Sequence, residues 1–251
     1  MFDNRWRGAR RADDEGGEVP ADHEAERRPR SFRTALWASV REVFIVVGLA
    51  MVLSFLIKTF LVQPFHIPSG SMEDTLAIDD RVVVSKLTPG PVDLERGDVV
   101  VFADPGGWLG PLPPQDRSLL HGILVFVGLA PNDSQEYLIK RVIGLPGDRV
   151  ACCTSAGEIS VNGVPVDEPY VKHGDTPGGG QPGFDITVPD GHVWVMGDHR
   201  SDSADSRAHD DGTGTAGSVP IDVIQGRAVI VIWPLDRLTW LSIPERVFGE
   251  S

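Results

Sequence analysis

The longest uninterrupted apolar stretch in this chain lies near its start. Val43–Val62 reads VFIVVGLAMVLSFLIKTFLV, with no charge from Val43 to Ile57 and only Lys58 close to the far end. Twenty residues rising about 1.5 Å each cover about 30 Å, the thickness of a bilayer's hydrocarbon core. The pattern therefore predicts a membrane-spanning helix whose lysine snorkels to the interface. Past this run the period changes. Arg81–Ser85, Asp98–Phe102, Tyr137–Ile139, His192–Met196 and Ala228–Trp233 are short apolar runs rich in β-branched residues, and such runs predict strands. Within Glu158–Val166, Asn162-Gly163 supplies the two positive φ angles of a type I′ hairpin. No later segment sustains a helical period, so the expected fold class is mostly β, an antiparallel sheet domain carried on one N-terminal transmembrane helix.

The chain divides accordingly into a disordered cytoplasmic tail (1–42), an anchor (43–62) and an extracytoplasmic β domain (63–251). Residues 149–190 are expected to form an inserted β-hairpin subdomain. The first 35 residues mix Arg with Asp and Glu and offer few large apolar groups beyond Phe2, Trp6 and Phe32, too little to order a segment. Arg27, Arg28, Arg30, Arg33 and Arg41 precede the anchor, which leaves the N-terminus in the cytoplasm of a single-pass plasma (cell) membrane protein. The residues after the run, Thr59 to Phe65, hold no small-x-small pattern, so an anchor is preferred to a cleaved leader. Two Gly/Pro-rich loops, Asp104–Asp116 and His173–Gly183, interrupt the strands. The apolar run Ser118–Ala130 is too short for a second span. An apolar, lipid-touching rim is expected from Trp108, Leu119–Val127 and Trp240.

Composition narrows the function. The net charge is −13, and residues 1–62 carry ten of the 23 basic and nine of the 36 acidic side chains. The acidity thus belongs to the part beyond the anchor, and it excludes a nucleic-acid partner, which needs a basic face. The two cysteines, Cys152 and Cys153, are adjacent. They cannot build a CxxC knuckle or a disulfide framework, and both a vicinal disulfide and two thiols remain open.

Three polar features stand out of the strand pattern. Pro68-Ser69-Gly70-Ser71-Met72 sets two serines around a glycine just past the anchor, and a serine hydroxyl becomes a nucleophile only when a base takes its proton. Lys140 sits within the apolar strand Ile139–Gly144. Free lysine has a pKa of about 10.4 and is no base at neutral pH, but burial lowers that value by several units. Against this stands a plain edge-strand lysine kept for solubility. The third feature is the polar loop Gly197–Arg207, where Asp198, Asp202 and Asp205, followed by Asp210 and Asp211, with His199 and His209, offer metal-type ligands in a spacing unlike an EF-hand. A non-catalytic, membrane-tethered β module binding an envelope ligand or divalent metal is the alternative to an enzyme.

Taken together, the blocks Pro68–Met72, Arg96–Phe102, Lys140–Asp148 and Gly197–Arg207 resemble, in content and order, the bacterial type I signal peptidases, a family of membrane-anchored Ser/Lys-dyad serine proteases. The resemblance spans Gln63 to about Trp233 and implies a fold of two packed β subdomains. It implies Ser71 as nucleophile and Lys140 as general base, with an oxyanion hole from the Ser71 N–H and the Ser69 hydroxyl. Ser203 would orient the lysine, and Arg141 with Asp198, and Asp205 with Arg207, would be structural ion pairs. No metal or other cofactor is implied. The implied partners are exported preproteins, whose signal peptides are cut after small-x-small (Ala-x-Ala) motifs, the lipid bilayer, and the export machinery. Ile67, Leu76, Leu138 and Ile139 are expected to line the substrate pockets. The sequence departs from the family at Glu73-Asp74, where x-Pro is usual, at His199, where Asn is common, and at Ser201-Asp202.

Overall fold

The computed structural model describes residues 32–110 and 137–242; the Leu119–Val127 run and the first 31 residues lie outside them. The chain divides into a unit Met1–Gly48 and a unit Leu49–Ser251. Helix α1 runs Phe32–Phe60, and its apolar stretch Ser39–Phe60 has the length and composition to cross a membrane. Both ends differ from expectation. Helix begins inside the segment read as disordered tail, because Ala35, Leu36 and Ala38 propagate a helix at little cost once the apolar run has nucleated it. It stops at Phe60, because Val62 is taken up by a strand, paired with Ser85. The Lys86 amine lies within 3.4 Å of the Lys58 and Thr59 carbonyls, capping oxygens that the last turn leaves without partners.

The described residues from Val62 to Trp240 are built on two antiparallel sheets. The larger takes β1 (Val62–His66), β2 (Arg81–Ser85), β3 (Val99–Ala103), β4 (Tyr137–Gly144), β9 (His192–Met196), β10 (Val219–Pro220), β11 (Ile224–Trp233) and β12 (Thr239–Trp240). Their order across the sheet is β1-β2-β11-β3-β4-β9-β10, with β12 on β11. The smaller sheet, in the order β7-β6-β5-β8, comes from β5 (Arg149–Cys152), β6 (Ile159–Val161), β7 (Val164–Pro165) and β8 (Phe184–Thr187). Asn162 and Gly163 join β6 to β7 with φ of 54° and 81°, as a type I′ turn requires. Cys152 and Cys153 are bonded to each other at the end of β5. Short helical turns, among them α2 (Ser206–His209), fall in the loops.

At β3, β4 and β9 the larger sheet is buried on both faces, which is why β3 reads as an unbroken VVVF run rather than an alternation. On one face Val99, Val101 and Ile139 pack with Phe65, Ile67, Met72, Leu76, Val82 and Val84. On the other, Val100, Phe102 and Val142 pack with Val193, Val195 and Val219. A third cluster joins the sheets, with Ile143, Trp194 and Met196 against Val150, Ile159 and Ile186. Each such side chain contributes roughly 1.5–3 kcal/mol on burial. Gly144 permits the joint, since a Cβ there would come within 3 Å of Val150 and Val188 side chains.

Candidate active site

Ser71 lies in the loop between β1 and β2, a loop held at several points. Met72 and Leu76 are wholly buried and root it in the core. At its ends Ile67 N–H donates to the Asp80 carbonyl and Asp79 N–H to the Ile67 carbonyl. Asp80 in turn accepts from Arg237, 2.9 Å away. Such a loop can hold a hydroxyl in one place.

Lys140 occupies the middle of β4, opposite Val100. β9 pairs with β4 only from Arg141 onward, so the edge of β4 at Lys140 is left to other groups. There the Lys140 Nζ stands 2.6 Å from Ser71 Oγ and 3.1 Å from its neighbour's carbonyl, Ile139 O. The lysine is 3% and the serine 7% exposed. Burial outweighs the attraction of Asp205 and Asp198 for the ammonium, and the amine's pKa falls from 10.5 to about 8.

The Gly197–Arg207 loop follows β9 and folds back on itself. Asp205 accepts from Gly197 N–H at 2.9 Å and from Arg207 Nε and Nη2 at 2.9 and 2.7 Å. Burial would raise this carboxyl, but Arg207 and the backbone donors more than offset it, so it sits below the ordinary range. Arg141 makes a forked pair with Asp198, 2.9 and 2.6 Å, under the ring of Tyr170, 4.0 Å from the guanidinium. Thr75 Oγ1 also donates to Asp198 at 2.6 Å, so one carboxylate ties the Ser71 loop to β4. Both residues of each implied ion pair are thus brought together.

The other implied residues fall as follows. Ser69 is exposed and its hydroxyl makes no hydrogen bond among the described residues. Ser203 is buried beside Gly197 and close enough to Asp205 to help lower that carboxyl. Among the described residues its Oγ has no partner of good hydrogen-bond geometry, and it does not bond Lys140. Ile67, Leu76 and Ile139 meet in one core cluster, whereas Leu138 packs on the opposite face of β4 with Phe102 and Val142. The four therefore do not form one wall. Trp108 is half-buried: it stacks on His209 at 4.4 Å and packs edge-on against Phe102. Trp240 is exposed, as are Trp233, Leu235 and Leu238. Among the described residues no group of three or more His, Cys, Asp or Glu side chains is placed to hold a metal ion.

Sequence reasoning missed several contacts. Arg200 is fully buried and paired with Glu168 at 2.5 Å, and Lys172 reaches Glu73, also at 2.5 Å. The His173 N–H donates to Asp74 at 2.8 Å. Lys172 and His173 are thereby strapped across the Ser71 loop. Arg200 lies in a loop dense in polar residues, a weak cue to a network, but nothing near Glu168 or Lys172 marks either in the sequence.

Comparison with known proteins agrees with the sequence blocks. Residues 40–233 match a family described as signal peptidase, peptidase S26. The chain is 36% identical over 228 residues to a protein of Mycobacterium tuberculosis named "Signal peptidase I", covering 82% of this chain and 76% of that one. It is 36% identical over 234 residues to "Probable signal peptidase I" of Mycobacterium leprae, covering 82% and 78%. A crystal structure of a signal peptidase I from Enterococcus faecalis aligns with a TM-score of 0.33 at 22% identity, over 54% of this chain and 97% of that one.

Proposed function

The chain belongs to the signal peptidase family, peptidase S26, and on that premise we propose that it removes N-terminal signal peptides from exported preproteins after small-x-small motifs. In this reading Ser71 is the nucleophile and Lys140 the general base. What carries it is the 2.6 Å approach of the Lys140 amine to the Ser71 hydroxyl, in surroundings that bring the amine to about 8. A neutral amine at that distance accepts the hydroxyl proton as Oγ attacks the scissile carbonyl. The ammonium so formed hands the proton to the departing amine. Lys140 then takes a proton from the water that releases the acyl group.

The tetrahedral oxyanion needs donors aimed at it, each worth about 2.7–4 kcal/mol in comparable hydrolases. The Ser71 N–H, which no described residue accepts from, and the unbonded Ser69 hydroxyl fill that role. Ser203, buried without a good partner, is available to the lysine once it is charged. Substrate would add as a strand. Among the described residues the outer edge of β1 and the Tyr137–Ile139 edge of β4 are both unpaired, and Phe65 meets Tyr137 at 5.3 Å between them. Of the four expected pocket residues, Ile67, Leu76 and Ile139 would set the floor on one side and Leu138 would act separately. In the proposed arrangement the anchor holds the catalytic domain on the extracytoplasmic face, with Trp240 and its exposed neighbours against lipid.

The test uses purified full-length protein in detergent and a preprotein with an Ala-x-Ala site. Ser71→Ala and Lys140→Ala each abolish cleavage while thermal melting shows a folded chain, and EDTA leaves the rate unchanged. Cleavage at wild-type rate by either variant overturns the dyad, and strong inhibition by EDTA revives the metal-binding alternative.

A further inference from the structure

His199, where the family commonly has Asn, grips the Ser71 loop from both sides. Its ring Nδ1 lies 3.2 Å from the Gly70 carbonyl oxygen, and its backbone N–H donates to the Ser71 carbonyl at 3.1 Å. The Gly70 oxygen also accepts from Glu73 N–H at 3.0 Å. The ring is 15% exposed, and its Nδ1 stands 3.5 Å from the Glu73 carboxylate, which Lys172 holds in place. Both neighbours of Nδ1 are acceptors, so the hydrogen is assigned to Nδ1 and the ring donates to Gly70.

The Gly70 carbonyl and the Ser71 N–H belong to one planar trans peptide and point in opposite directions across it. Fixing the oxygen at one end therefore fixes the direction of the N–H at the other. Gly70 has no side chain to limit its own dihedrals, so the restraint must come from outside the residue. A hydrogen bond on the carbonyl also polarises the peptide and strengthens its N–H as a donor. We infer that His199 is a positioning residue for the oxyanion-binding peptide: through Nδ1–H to the Gly70 carbonyl it aims the Ser71 N–H before substrate arrives. This rests on the reading of Ser71 as nucleophile and adds to it the group that sets the oxyanion donor.

The geometry makes a distinction that ordinary structural support would not. In Asn the amide nitrogen sits as many bonds from Cα as Nδ1 does in His, whereas in Gln it sits one bond further out. Initial rates on an Ala-x-Ala reporter peptide should show His199→Ala losing kcat by about 10- to 100-fold with KM within about twofold, since an oxyanion donor acts on the transition state. His199→Asn should recover most of that kcat and His199→Gln should not. If His199→Ala melts too low to assay, the Asn and Gln variants decide the question between them. Full kcat in His199→Ala, a loss confined to KM, or equal behaviour of Asn and Gln overturns the inference. Ser71→Ala is measured alongside. An active Ser71→Ala removes the nucleophile assignment and the inference with it, whereas a dead Ser71→Ala beside a fully active His199→Ala removes the positioning role alone.

Discussion

At the scale of single residues, the site turns on the cost of charging one amine in a buried place. Lys140 has a folded pKa of about 8 against 10.5 for the free group. Between these two values the unfolded chain binds more protons than the folded one, so stability rises with pH through that window. Below pH 8 the folded protein carries the full penalty, about 3 kcal/mol; above 10.5 it carries none. Replacing Lys140 by Met should therefore raise the melting temperature at pH 7 and leave it near wild type above pH 10.5. A Met variant no more stable than wild type at pH 7 would contradict the buried amine. In the proposed mechanism the same number sets catalysis with the opposite consequence. A base must be neutral to act, so kcat/KM should climb with pH and level off past an apparent pKa near 8. A limb near pH 10 would mean that the lysine is not desolvated in the working enzyme.

At the scale of elements, two glycines, one at the end of β4 and one in the loop that follows β9, separate what supports the fold from what supports the site. A Cβ on Gly144 meets Val150 and Val188 side chains in the joint between the sheets, and a Cβ on Gly197 meets Ser203 Oγ and the Ser71 carbonyl. Gly144→Ala should cost about 1–3 kcal/mol of stability by overpacking, with kcat little changed. Gly197→Ala displaces the Ser71 loop itself and should cost at least tenfold in kcat. Melting curves and rates on the two variants, measured together, check both, and the reverse pattern would misplace the site. The strands were legible where a β-branched run is buried on both faces, as in Val99–Phe102, and the hairpin was legible from Asn162-Gly163 alone. β1 was not, because its apolar residues continue the anchor's run and only the pairing of Val62 with Ser85 ends the helix. The proposed dyad joins residues 69 apart in sequence, so spacing cannot find it, and only the resemblance of the four blocks brings it out. The strap of Lys172 on Glu73, across 99 residues, had no cue, because a charge that will be paired reads the same as one left in water.

At the scale of the whole molecule, the remaining question is which side of the membrane the β domain occupies. Helix α1 carries Ser39–Phe60 as its apolar stretch, and the basic residues flanking that stretch in the sequence lie unevenly. Arg27, Arg28, Arg30 and Arg33 precede that stretch and Arg41 lies in its first turn, while Lys58 alone marks the other end. Short flanks of this kind set orientation by their Lys and Arg content, and on that rule we propose that residues 63–251 lie outside. The acidity of that part, 27 acidic against 13 basic side chains, does not enter the argument, since Asp and Glu contribute little to orientation. The consequence is measurable in intact cells without a substrate. Protease added outside should digest the β domain and spare a tag on the N-terminus, and the chain should stay with the membrane in alkaline carbonate. Moving the arginines, by replacing Arg27, Arg28, Arg30, Arg33 and Arg41 with Gln and adding Lys after Phe60, should invert a fraction of the molecules. An outside tag in the unaltered chain would place Ser71 and Lys140 in the cytoplasm, on the wrong side for exported preproteins.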